Sequence, residues 1–313
     1  MKKRNLTQAI LLGAAACLLT GCIFLQDRKD ARALTGTDSL GQEYDLSTDY
    51  LVTQYADATG PHGSFYTIEN EAAFYIIDGG WAGNAEAVRA VIAQHGNVVD
   101  GWFLSHPHQD HAGALNEILK DPQNIEIVTL YDNSYDYDFI SEMGEPYDDI
   151  SIMDTFYALT YDAPNLVHLH RGDHLDLNGL TVDVYNAFDG DVIANCGDEE
   201  DYQNNASLML MISGAEDRML FCSDIKYNME GYLRASLSAD QLSCKYIQVG
   251  HHGNWSLSED FYLLCNADVF FFDAPAGITD SPDYPASSFK ANLITKGKQV
   301  FDFTTAPNRV ILK

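Results

Sequence analysis

Residues 105–114 read Ser105-His106-Pro107-His108-Gln109-Asp110-His111-Ala112-Gly113-Ala114. Within them lies His-x-His-x-Asp-His, three imidazoles and a carboxylate between His106 and His111. Imidazole suits zinc, iron and similar transition metals, and a carboxylate adds negative charge and can hold a second ion. The apolar run Val98-Val99-Asp100-Gly101-Trp102-Phe103-Leu104 before it reads as a buried strand, and Ala112 to Lys120 after it reads as a helix. The candidate ligands therefore sit on a loop at a strand end, where rigid backbone aims several side chains at one point. A polar, His-rich surface loop is the competing reading, but so compact a pattern between strand and helix points to metal.

The rest of the chain has the apolar content to build a domain around that loop, 46% of 313 residues. Its N-terminus reads differently. Lys2, Lys3 and Arg4 precede the apolar run Ile10–Leu19, which is too short to span a bilayer. Leu19-Thr20-Gly21-Cys22 follows and resembles a bacterial lipobox, in which the Cys is acylated and becomes the new N-terminus. The expected organisation is a lipoprotein signal over 1–22, a polar tether over 23–48 and a single metal-binding domain over 49–313, exported and held on the outer face of a membrane. Losing residues 1–21 removes three basic residues and no acid, which takes the formal charge from −28 to −31. No Lys or Arg occurs between Asp121 and His170. A long polyanion such as DNA is usually met by basic patches, so this balance speaks against nucleic acid as a partner. Cys196, Cys222, Cys244 and Cys265 match no zinc-finger spacing, and their pairing stays open.

Along the chain, strands are expected near 65–68 and 72–77 as a hairpin, then near 125–130, 180–185, 208–212, 219–222, 246–249, 269–272, 299–303 and 310–312. Asn84 is placed to cap a helix ending before Gly96, with Val88, Val91 and Ile92 on one face. Further helices are expected near 259–265 and 287–295. His95 at the end of the first helix fits a cationic ring on the helix dipole. His62 lies in a loop between Pro61 and Gly63. Residues 131–165 interleave tyrosines such as Tyr135, Tyr137, Tyr157 and Tyr161 with many acids. Two readings stay open for them: a cover over the site, or a solvated acidic loop with aromatics packed beneath.

Several further stretches, in order, extend the pattern of the metal loop. They are Phe74-Tyr75-Ile76-Ile77-Asp78-Gly79-Gly80, Asn204-Asn205-Ala206-Ser207-Leu208, Met219-Leu220-Phe221-Cys222-Ser223-Asp224 and Tyr246-Ile247-Gln248-Val249-Gly250-His251-His252-Gly253-Asn254. Asp283-Tyr284-Pro285 and Gly297-Lys298-Gln299-Val300-Phe301 close the series. Together with His106–His111 they resemble the metallo-β-lactamase superfamily, and within it the branch of ComEC-like DNA-uptake proteins and surface phosphorylcholine esterases. The resemblance implies an α/β fold, an αββα sandwich of two mixed β-sheets flanked by helices, in keeping with the strand-rich halves. It also implies two divalent transition-metal ions, zinc first, with manganese or iron as alternatives. His106 and His108 would hold the first, and Asp110 with His111 the second. Asp224 would bridge them, and the His251-His252 pair would complete the second site. Sequence leaves open which of that pair ligates; the working assignment is His251 as ligand and His252 as proton donor, with Asp110 also orienting the nucleophile. Asp78, Asn204 and Asn205 would support from behind the ligands.

One departure stands out against the wider family, which places a further His ligand shortly before the position of Ser207. Here that region reads Gln203-Asn204-Asn205, which argues against β-lactam hydrolysis. The function expected is a lipid-anchored metal-dependent hydrolase of a small-molecule or cell-envelope phosphoester. A ComEC-like extracellular nuclease and a non-catalytic metal-binding envelope lipoprotein are the alternatives. The lipobox gives a direct prediction: the mature protein starts at an acylated Cys22, and Cys22→Ser either frees it from the membrane or leaves it uncleaved. Mass spectrometry of the membrane fraction checks this, and an intact Met1 there would reject it.

Overall fold

The strands are apolar on both faces, as befits sheets covered on each side. Val52, Tyr66, Ile76, Val182, Met219, Ile247 and Phe271 are all buried. The computed structural model describes residues 33–144, 148–196 and 201–313. The lipobox Cys22 and the signal segment lie outside the described residues, as does the start of the expected tether. From residue 33 onward that tether forms a hairpin of β1 (Thr35–Thr37) and β2 (Glu43–Asp45). It docks on the domain: Leu46 is buried, and Ser39 N–H donates to the Arg309 carbonyl.

Two seven-stranded sheets follow. The first runs, in spatial order, β10 (Leu166–Leu169), β9 (Leu130–Asn133), β7 (Gly101–Phe103), β5 (Phe74–Asp78), β4 (Phe65–Glu69), β3 (Tyr50–Gln54) and β18 (Asn308–Leu312). The second runs β11 (His174–Leu177), β12 (Leu180–Asn186), β13 (Met209–Ser213), β14 (Arg218–Phe221), β15 (Tyr246–Gln248), β16 (Val269–Pro275) and β17 (Gln299–Phe303). Each is mixed. The first is antiparallel from β18 to β5 and parallel from β5 to β10, and the second is antiparallel from β11 to β14 and parallel from β14 to β17.

Three apolar layers hold the sheets. Ile68, Phe103, Val184, Leu210, Phe221 and Phe271 fill the space between them. On the outer face of the first sheet, Trp102 and Ile76 pack with Val88 and Ile92 of α1 (Ala85–Ala93) and Leu115 and Ile118 of α2 (Gln109–Lys120). On the outer face of the second, Phe270 and Phe272 meet Leu233, Phe261 and Leu293 from helices 230–236, 259–264 and 286–295. This is the αββα sandwich expected from the sequence. The segments leaving β7, β14 and β15 run to one edge, where the metal-type residues gather. Among the described residues no helix is long and apolar enough to cross a membrane, and Cys196, Cys222, Cys244 and Cys265 are free and buried.

Local departures have physical causes. The expected strand 98–104 is split: β6 (Val98–Val99) pairs with β8 (Glu126–Ile127) in a separate ribbon, and Asp100 turns in to accept the Phe74 N–H. Helix α2 starts at Gln109 rather than Ala112, so Asp110 and His111 sit on its first turn instead of a loop. Asn84 precedes α1 but does not cap it; its side chain donates to the Gly79 carbonyl. His95 is no exposed dipole partner, because its ring is buried and stacked on Phe74 at 3.7 Å with Nε2 3.6 Å from Glu69.

The acidic insertion becomes two helices, α3 (Tyr137–Met143) and α4 (Ile150–Thr160), capped by the carboxylates of Asp136 and Asp149. Tyr131 stacks on Phe103 and Tyr135 donates to the Gln203 carbonyl, and Tyr135 together with Tyr137, Tyr157 and Tyr161 lines an outer cavity of about 800 Å³.

Gly113 explains the small residue that follows the metal motif. A Cβ there would lie 2.3 Å from the Ala82 nitrogen and 2.7 Å from the Trp81 carbonyl carbon, both backbone atoms that cannot swing aside. Gly113→Ala is therefore expected to cost about 1–3 kcal/mol of stability, the range for overpacking. Urea denaturation of the full chain checks this, and an unchanged midpoint would refute the close approach of α2 to the turn beneath it.

Candidate metal centre

Asp110, His111, Asp224 and His252 bring one donor atom each to a common point, all within 4.8 Å of one another and all buried. Asp110 and His111 come from the first turn of α2, Asp224 from the end of β14 and His252 from the turn after β15. His252 Nε2 is 3.1 Å from Asp110 Oδ2 and 3.2 Å from Asp224 Oδ2, and His111 Nε2 is 3.3 Å from Asp224 Oδ1. Beside this group His106 Nε2 faces His108 Nδ1 at 3.0 Å.

Carboxylates stand behind two of the rings. Asp78 Oδ2 accepts from His111 Nδ1 at 2.8 Å, which turns Nε2 towards the centre. Asp78 is itself held by the Ser105 N–H at 2.8 Å and the Ser105 hydroxyl at 2.9 Å. Asp148 Oδ1 lies 2.7 Å from His108 Nε2, which leaves Nδ1 to face His106. Asp148 belongs to the acidic insertion, so that segment reaches the site after all. No spacing rule marks it out among so many neighbouring acids.

The electrostatics are those of a site built around positive charge. Burial disfavours a charged His252, yet Asp224 and Asp110 outweigh it and push the ring up to about 10. His111 rises well above its ordinary value in the same way, against burial, through Asp224, Asp78 and Asp110. Burial would raise Asp224 and Asp110, but the facing imidazoles hold both carboxyls low. His106 goes the other way: burial, then His111 and His108, push it well below the usual range. Protons on His111 and His252 thus occupy the electrostatic role that a metal ion would take, and such a site releases protons as it loads.

The donor set fits a divalent ion. His111 Nε2 and Asp224 Oδ1 are sealed from solvent and face each other at 3.3 Å as an ion pair without hydrogen-bond geometry, a gap that a coordinated ion would fill. Four nitrogen and carboxylate donors in one small volume match a zinc-type or iron-type site. His111, Asp110, Asp224 and His252 would hold one ion, and His106 and His108 another beside it.

The adjacent histidines are placed differently from the working assignment of His251 as ligand. His252, assigned as proton donor, is the one in the donor cluster. His251, assigned as ligand, turns aside: its Nδ1 bonds the Asn254 carbonyl at 2.5 Å and its Nε2 faces Asn204 Nδ2 at 3.5 Å. Both residues have left-handed backbone, φ 47° and 53°, so the turn splays the rings, whose centroids lie 6.1 Å apart. Asn204 lines the pocket, whereas Asn205 points away, accepting the Lys226 N–H and donating to Cys196 Sγ.

The pocket over the centre has a volume of about 180 Å³ and is lined by His62, His108, Gln109, Asp110, Asp149, Asn204, Asp224, His251 and His252. His62, only a loop residue in the sequence, stands at its mouth with Nε2 3.3 Å from Asp110 Oδ2 and its ring 4.3 Å from His252. Burial and then the His252 charge lower its pKa to about 4.

Residues 58–183 match the family model described as the metallo-beta-lactamase superfamily; the match takes in Asp78 and His106–His111 but ends before Asp224 and His252. None of the curated proteins compared matches the sequence. Among solved structures, the metallo-beta-lactamase fold protein YhfI from Bacillus subtilis is similar at 12% identity and a TM-score of 0.51, over 83% of this chain and 99% of that one. CmlA, a diiron beta-hydroxylase from Streptomyces venezuelae, is similar at 13% identity and a TM-score of 0.51, over 85% of this chain and 54% of that one. A diphosphatase of the PhnP family is similar at 11% identity and a TM-score of 0.48, over 85% of this chain and 98% of that one. At such identities the likeness is one of fold. Residues 58–183 are thus similar to the metallo-β-lactamase superfamily and the chain has that fold, with a His and Asp cluster of metal-binding type where its two sheets meet.

Proposed function

We propose that this protein is a metal-dependent hydrolase of phosphoester bonds, exported and anchored through lipid on Cys22. The observation that carries the reading is the buried cluster of Asp110, His111, Asp224 and His252, with His106 and His108 beside it. Two bound divalent ions would supply Lewis acidity towards a phosphoryl oxygen and lower the pKa of water to about 7.

The chain's own residues do the positioning. Asp78 keeps His111 Nε2, and Asp148 keeps His108 Nδ1, turned to the centre. His62 at the mouth can hydrogen-bond a substrate held over Asp110. Among the described residues no Lys or Arg lines the pocket, and Asp149 adds negative charge there. A long polyanion finds no backbone contacts in such a pocket, which disfavours the nuclease alternative. A small phosphoester, with one charged group to place on the ions, suits the volume of about 180 Å³.

Elemental analysis of the full chain after zinc reconstitution should find bound metal, with His252→Ala losing the tightest ion and His251→Ala keeping it. Loss in His251→Ala instead would reverse the roles assigned to the pair. On the loaded protein, an aryl phosphodiester such as bis(4-nitrophenyl) phosphate should turn over, and Asp110→Ala should slow it by about 100-fold or more. A loaded protein that leaves small phosphoesters intact while cleaving carboxylic esters or single-stranded DNA would overturn the substrate class.

A further inference from the structure

Asn204 sits in the one-turn helix Tyr202–Asn205 and lines the pocket with His108, Asp224 and His251. It is 3% exposed. Its amide cannot turn freely. Nδ2 donates to Asp201 Oδ2 at 3.0 Å, and that same oxygen receives Lys226 Nζ at 3.0 Å. Asp201 paired with a lysine is an acceptor only, so a flipped amide would set oxygen against oxygen.

The second N–H is constrained from the other side. His251 Nδ1 must carry a proton, because it bonds the Asn254 carbonyl oxygen at 2.5 Å. His251 Nε2 is then an acceptor, facing Asn204 Nδ2 at 3.5 Å. Both constraints orient the amide in the same sense. They leave Asn204 Oδ1 buried, an acceptor without a hydrogen-bond partner among the described residues.

We propose that Asn204 Oδ1 is the third protein donor, with His106 Nε2 and His108 Nδ1, to the ion beside the four-residue cluster, and that this position is the weaker of the two. The inference rests on the metal-site reading above and deepens it. The four-residue cluster offers two carboxylates and two imidazoles. The neighbouring position has two imidazoles, a neutral amide oxygen and at most a share of Asp224. A neutral oxygen donor neither balances the charge of a divalent ion nor matches imidazole as a ligand for zinc. The ions therefore load in order, the cluster first and the Asn204 position second. Asp201 is a positioning residue in this arrangement, since it acts only through the amide it orients.

The test is zinc alone, titrated into the metal-free full chain against a chromophoric chelator, with stoichiometry and stepwise affinity as the readout. Two steps are expected, the second about 100-fold weaker or more. Asn204→Ala should weaken the second step about tenfold further and spare the first, while Asn204→His should tighten the second about tenfold or more. A misfolded variant cannot produce that gain. Equal steps in the unaltered protein, or a second step that is indifferent to Asn204 and lost in His251→Ala, would overturn the proposal. Two-step uptake without phosphoester turnover would support it and sink only the substrate class. Failure to bind even one ion would overturn both.

Discussion

Two carboxylates, Asp110 and Asp224, are buried facing one another's histidines at the edge where the sheets meet. Taking one such charge out of water costs several kcal/mol even after the protein relaxes. The fold can bear two only because His111 and His252 lie between them, and the site's other features follow from that need. The strands end where they do, the rings are turned as they are, and the local field favours positive charge at one point. A divalent ion would meet that demand and would also engage His111 Nε2 and Asp224 Oδ1, which face each other at 3.3 Å without hydrogen-bond geometry.

Holding such a point together takes supports from several directions. Asp78 at the end of β5 aims His111, and Asp148 from the acidic insertion aims His108. On the second sheet, Gln248 Oε1 accepts the Cys222 and Ser223 N–H groups at 2.8 and 2.7 Å, while its Nε2 donates to Asp273 at 2.9 Å. This ties the ends of β14, β15 and β16 just before Asp224 and His252 leave them. Asp78, Ser223, His251 and His252 all have φ between 47° and 55°, a conformation that non-glycine residues adopt at a cost. These four stand at strand ends that supply or support the donors, and packing pays for their strain. A Cβ on Gly253, for example, would meet the Phe272 ring at 2.5 Å.

The insertion serves two ends that its composition does not separate. Asp148 and Asp149 reach the metal pocket, while Tyr137, Tyr157 and Tyr161 line a cavity that shares no lining residue with it. Alternating tyrosine and acid is the same pattern in both places. Composition alone does not show which acids face inward; the fold brings Asp148, just before α4, against His108.

What the sequence determined by itself was whatever lies close along the chain. His106, His108, Asp110 and His111 fall within six positions, so their convergence is nearly a local matter of one strand end and one helix turn. Apolar runs such as Phe74–Ile77 and Val269–Phe272 marked the strands, because burial on both faces leaves no room for alternation. The tertiary structure decided which atom of each ring faces the centre. Asp78 and His111 are 33 residues apart, and Asp148 and His108 are 40, so no spacing rule links them. His95 was misread for the same reason, since Phe74, which stacks on it, comes from another strand. Adjacent His251 and His252 were indistinguishable until the backbone after β15 took two left-handed steps in succession. Ligand identity can be local, but ligand orientation is set by partners that only the closed fold brings within hydrogen-bond reach.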